Sequence, residues 1–175
     1  MALPWARPVR GRGRPRIKVP YDRAMIVIEA IATVALIAML VYTILKWQTL
    51  PGTIPTRFSA DGVPEALRGK GTLLSFPILA TIAYVGLTLL RRAPWGFNYA
   101  WLITEENAEK QYGLAVYLIG CLKLEVILLL GYIQWQTIRT AQSIAGGLGP
   151  LLLPMTIMVI VATFGTYLYL SHKNR

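Results

Sequence analysis

The sequence predicts an all-α polytopic membrane protein: a bundle of four transmembrane helices with one structured outer loop. Three observations carry that reading. Of 175 residues, 55% are hydrophobic and only 15% charged, too little polarity to cover a soluble domain of this size. The apolar residues fall in long blocks rather than on periodic faces. Four of these blocks reach the roughly 20 residues a helix needs to cross a bilayer, whereas the short alternating segments of a β-barrel are not seen.

Residues 1–23 read as a basic, disordered cytoplasmic tail, rich in proline and carrying seven Arg or Lys. The tail has no apolar core of the kind a signal peptide needs, and the first apolar block is too long for a cleaved segment. The membrane domain covers residues 24–171. Its spans are 24–46, 72–90, 114–138 and 150–171, with the outer loop at 47–71 and a cytoplasmic-side loop at 91–113. Residues 172–175 form a second short tail.

Charge sets the orientation. With four spans both termini share a side, which collects twelve basic residues outside the spans against four on the other, or five with Lys46. The positive-inside rule places both termini in the cytoplasm and the loop at 47–71 outside. The default location is a bacterial plasma membrane, with an internal photosynthetic membrane equally compatible.

The tail string RGRGRPRIK has two readings. Arg12-Gly13-Arg14-Pro15 resembles the core of an AT-hook, which inserts into a narrow minor groove. Against nucleic acid stands the plainer expectation, a juxtamembrane polybasic segment that attracts anionic lipid headgroups at about 1 kcal/mol per basic residue. The second reading is preferred.

Three ionisable residues lie inside the spans: Glu29, Lys123 and Glu125. Lys123 and Glu125 are two apart on one helix and do not share a face, so each needs water, another helix or a partner protein. A polar relay is the sharp reading. An interhelical contact, with Lys123 snorkelling or meeting Glu29, is the preferred one. The single Cys121 reads as a small packing residue.

In the cytoplasmic-side loop, Trp95, Phe97, Tyr99 and Trp101 alternate, so an extended chain presents them on one face at the headgroup interface. Thr104, Glu105 and Glu106 read as a helix start, with the hydroxyl capping free N–H groups and the carboxylates favoured by the dipole. A helix from about 105 then runs unbroken through 138. Glu105, Glu106 and Glu109 have no histidine nearby, so a solvated first turn explains them better than a metal site.

No catalytic set is expected. His172 is the one histidine and stands at the end of the last span; no P-loop, GxGxxG or HExxH is present. No metal or cofactor is identifiable, although apolar and aromatic contacts leave room for a bound lipid or pigment.

The outer loop LPGTIPTRFSADGVPEALRGKG combines Pro51, Pro55 and Pro64 with Asp61-Gly62. The prolines stop the first helix and favour an extended path, and Asp-Gly supplies a turn. Ile54, Phe58, Val63 and Leu67 are apolar enough to pack on the end of the bundle. A compact lid and a docking surface for a peptide or partner weigh evenly. The loop and the start of the next span resemble the bacterial membrane family called domain of unknown function 1648. Leu50, Pro51, Ile54, Pro55, Phe58, Gly62, Pro64 and Lys70 match its pattern, and the downstream FNYAWLITEENAEKQY resembles the continuation in short members; together they cover about residues 24–140. Arg57 stands where the pattern usually has His, and Leu67 where it has a Trp-like residue. The resemblance implies an architecture and a loop, without a biochemical activity. Family members include toxin-immunity and signalling proteins with a further C-terminal membrane domain, whereas only one span follows residue 140 here.

The expected function is therefore a non-catalytic accessory or binding subunit of a larger membrane complex. The alternative is an immunity or signalling protein that binds an extracellular peptide through Pro51, Ile54, Pro55, Arg57, Phe58, Gly62, Pro64 and Lys70. An ion or proton pathway ranks third. The expected partners are membrane lipids and a membrane protein.

Overall fold

Each of the apolar blocks forms one helix, with ends set by local chemistry. A computed structural model describes residues 14–174. Asp22 begins α1 (Arg23–Lys46): its carboxylate accepts from the Met25 N–H at 2.9 Å, taking up one of the unpaired donors of the first turn. A short 3-10 turn, Trp47–Thr49, leads to Leu50 and Pro51, where the helix cannot continue. Helices α2 (Ser75–Leu90) and α4 (Leu152–Lys173) start two or three residues later than their apolar blocks. Both carry proline in the first turn, where the missing N–H costs nothing.

Helix α3 (Ala108–Ala141) has 34 residues, about 51 Å at 1.5 Å each, and outreaches a hydrocarbon core of roughly 30 Å. Its start differs in detail from the expected cap. Thr104 and Asn107 cap each other reciprocally: the Asn107 N–H donates to Thr104 Oγ1 (3.3 Å) and the Thr104 N–H to Asn107 Oδ1 (2.9 Å). The glutamates at 105 and 106 lie in this turn, just before the helix.

Among the described residues four helices are long and apolar enough to cross a membrane. Helix α3 is the pillar, packing against α1, α2 and α4, while α1 and α2 meet each other less. Three core layers stack along it. Ala32, Leu36, Met39, Ala80 and Ile127 fill the middle. Leu50, Ile54, Leu73 and Ile138 close one end, which we call the hairpin end. Tyr99, Ala108, Tyr112 and Ala115 close the other, with Ile17, Val19 and Tyr167 against them. Outward faces are apolar: Val34, Ile44, Ile82 and Val161 are each more than 60% exposed, the arrangement of a protein whose solvent is lipid.

The loop at the hairpin end takes the extended path that its prolines favour. It is a two-stranded antiparallel hairpin, β1 (Thr53–Phe58) and β2 (Pro64–Gly69). Pro55 and Pro64 are tolerated because both strands are edges. The pairing runs Thr53↔Gly69, Ile54↔Arg68, Pro55↔Leu67, then Arg57↔Ala66, so Thr56 is an extra residue in a bulge. At the turn, Gly62 has φ 77° and meets the α3–α4 connection backbone to backbone. The Leu148 N–H donates to Gly62 O at 2.8 Å, and a Cβ on Gly147 would stand 2.0 Å from that oxygen.

Of the basic tail, residues 14–22 run without helix or strand and contact the termini end. Arg14 donates to Phe97 O at 2.6 Å and lies over the Tyr99 ring. Arg12 and Gly13 of the AT-hook-like string lie outside the described residues.

Candidate functional site

A polar cluster lies where α1, α2 and α3 converge. Lys123, on α3, has only 1% of its side chain exposed. Its ammonium donates to Glu29 Oε1 and Oε2, both at 2.6 Å, and to Thr88 Oγ1 at 3.0 Å. Three donors thus meet three acceptors, and the Tyr84 ring face is 4.6 Å away. Glu29 Oε1 also accepts from the Tyr84 hydroxyl at 2.8 Å, and that hydroxyl pairs with Thr33 Oγ1. Oε2 takes a second cation, Arg91 Nη1, at 2.9 Å. The Arg91 guanidinium in turn lies over the Tyr21 ring and donates to its hydroxyl.

Of the three intramembrane charges, Glu29 and Lys123 come together. Glu125 does not join them: it accepts from Thr163 on α4, as its position two residues from Lys123 requires. Arg91 is the member that sequence reading missed. It stands just past the end of α2 and reads as a loop cation, yet its long stem reaches back to the cluster and is buried. The available signal was the spacing: Tyr84, Thr88 and Arg91 recur at helical intervals along one face of α2.

The proposed interfacial aromatics separate. A 3-10 turn at Pro94–Gly96 breaks the extended path that would align them. Tyr99 turns inward, donates to Pro94 O at 2.9 Å and stacks near Phe97 and Tyr112. Burial pushes its phenol well above the usual tyrosine range. Trp95 packs in the same layer, and Trp101 tilts against His172.

The loop residues also divide. Ile54 is fully buried and Pro55 is buried; Gly62 is enclosed by the α3–α4 connection. Lys70 lies over Trp47 and reaches its carbonyl at 3.5 Å. Pro51 and Arg57 are exposed, with Phe58 and Pro64 half-buried. Beyond these, an apolar cleft of about 580 Å³ opens between α3 and α4, lined by Leu122, Val126, Leu129, Met155 and Val159, with Glu125 on its wall.

Comparison with known proteins agrees with the resemblance carried by the loop. Residues 34–81 match the family profile described as domain of unknown function (DUF1648), a stretch running from mid-α1 through the hairpin into α2. An uncharacterized protein of the archaeon Archaeoglobus fulgidus is 27% identical over 152 residues, covering 79% of this chain and 82% of its own. No solved structure matches.

Proposed function

We propose that this chain is a non-catalytic binding or accessory subunit of a larger membrane assembly, with both termini cytoplasmic and the hairpin outside. One observation carries the reading: the poor seating of α4. None of its most apolar window is buried. Near its termini-end turn Gln111 holds it, donating to Ser171 O and Asn174 O and accepting from the Ser171 hydroxyl. Midway the Thr163–Glu125 bond holds it, and the apolar cleft separates it from α3 nearer the hairpin end. Helices associate in lipid by close packing and interhelical hydrogen bonds. A helix seated this loosely leaves a face and a cleft suited to a further transmembrane helix. The other Glu125 oxygen, Oε2, is buried and has no hydrogen-bond partner among the described residues, and a donor side chain on such a helix would answer it. The basic tail and anionic headgroups supply the remaining attachment.

Purification in mild detergent, with crosslinking in native membranes from cysteines placed at Val159 and Met155, tests this. A stoichiometric membrane partner captured at these positions is expected. A chain that crosslinks to nothing in the membrane and purifies as a clean monomer would sink the proposal.

A second reading has its own support. Strand β2 is exposed along most of its length and its outer edge pairs with no further strand among the described residues. An extended peptide can add to such an edge through main-chain hydrogen bonds. The immunity or signalling role would require that a peptide added from the hairpin side protects β2 amides from exchange. A relay through Glu29, Lys123 and Glu125 has less support, because Glu125 stands apart from the other two.

A further inference from the structure

We propose that the hairpin and the start of α2 form a phosphate-binding site, with Arg57 and Arg68 as its ligands. A cavity of about 560 Å³ lies between them, lined by Thr56, Arg57, Ala66, Arg68, Thr72, Ser75 and Phe76. No carboxylate lines it, and neither guanidinium takes part in an ion pair or hydrogen bond among the described residues. Their exposure keeps both guanidiniums hydrated and available.

The strand geometry explains how both come to one cavity. Arg57 is paired with Ala66, and Arg68 is two residues further on the same face of β2. In a regular ladder such diagonal neighbours are about 7–8 Å apart, a span that long side chains bridge. Ordinary alternation would send Thr56 and Arg57 to opposite faces. The bulge breaks that alternation, and both line the cavity. Among the described residues the Thr56 hydroxyl is a third uncommitted donor on the cavity wall. The hydroxyls of Thr72 and Ser75 are already committed, donating to Gly69 O and Thr72 O.

Two planar guanidiniums with no counter-charge repel each other, and one tetrahedral oxyanion between them removes the repulsion. The guanidinium fork matches phosphate oxygens in pairs. The cavity adjoins Ser75, where α2 enters its apolar run, so it lies at headgroup level. Phe76 gives one wall an apolar surface for the glycerol or upper acyl part of a phospholipid. The phosphate is therefore that of a lipid headgroup or a free phosphate ion, and the two are separable. This site is independent of the α4 face and of any partner seated there.

The full chain and its Arg57→Gln/Arg68→Gln variant are compared in two arms. The first measures retention of phosphatidylglycerol by native mass spectrometry after reconstitution in nanodiscs. The second measures the thermal shift produced by inorganic phosphate in detergent at constant ionic strength, with chloride as control. A lipid site predicts loss of retained lipid, by roughly tenfold or more for the double variant, without a phosphate shift. A free-phosphate site predicts the reverse. Arg57→Lys/Arg68→Lys keeps the charge but loses the fork, and is expected to weaken binding several-fold. It also stands in if the glutamine variant does not fold. Wild type indistinguishable from the variants in both arms overturns the proposal.

Discussion

Lys123 Nζ stands 2.6 Å from each carboxylate oxygen of Glu29, and Arg91 holds one of the same oxygens from the other side. One anion therefore serves two cations, which makes the cluster asymmetric. Glu29→Gln strands both Lys123 and Arg91, whereas Lys123→Met leaves Glu29 neutralised by Arg91. Breaking a buried pair costs about 3–5 kcal/mol, and Glu29, partly exposed, belongs at the lower end. Denaturation in detergent should show Glu29→Gln as the more damaging single change, with Glu29→Gln/Lys123→Met regaining part of the loss. Equal effects of the two single changes would refute the asymmetry.

Gln134 is a second interhelical tie. Its amide donates to Met39 O at 3.0 Å and to Thr43 Oγ1 at 2.9 Å, joining α3 to α1 close to the hairpin end. Interhelical hydrogen bonds within membranes are worth about 0.6 kcal/mol on average and up to about 1.7. Gln134→Leu should therefore lower stability by an amount within that range, far less than Glu29→Gln. The same unfolding measurement on both variants checks the ranking.

The hairpin should detach from the bundle before the bundle unfolds. Gly62→Ala adds a Cβ 2.6 Å from Gly149 N at a φ of 77°. A non-glycine residue in that region alone costs about 1 kcal/mol or more, and the overlap with backbone adds to it. We expect faster proteolysis within residues 53–69 while the helices stay protected. Unchanged cleavage there would show that the turn tolerates a side chain.

Acid should loosen the start of α1. The Asp22 carboxyl is held below the usual aspartate range, first by the Tyr117 hydroxyl and then by the Met25 N–H, with desolvation opposing. The unfolded chain then binds more protons than the folded one as pH falls through about 4, so the contribution of this cap is present above that value and lost below it. Amide exchange in the first turn of α1, corrected for intrinsic rates, should rise between pH 5 and pH 3. Asp22→Asn, which keeps a cap without a titrating group, should flatten that rise.

Much of this architecture is legible in the sequence because a membrane span is a matter of length and apolarity. Helix α1 begins one residue before its expected start and ends where Lys46 was expected to end it. The meeting of Glu29 with Lys123 is readable too, because lipid offers neither charge an alternative. The extended path and the turn of the hairpin are readable from its prolines and Asp61-Gly62, but the pairing of the two segments as strands is not. Pro55 and Pro64 argue against paired strands, and they are harmless because no further strand neighbours the hairpin among the described residues. Arg91 was hidden for a related reason: a count of loop charges assigns it to the interface, although its side chain points back into the bundle. The inward turn of Tyr99 depends on Pro94 and on contacts with residues 14–19, neither of which an alternation rule contains.

The contact of Gly62 with Gly147–Gly149 has a mechanical consequence. Main chain meets main chain there, so no side-chain rotamer can absorb a small displacement. A pull on the tip of the hairpin passes directly to the turn that leads into α4, the helix with the weakest grip on the bundle. The hairpin is the handle of a lever whose arm is α4. Anything that grasps the handle acts on the helix whose apolar face is least buried among the four.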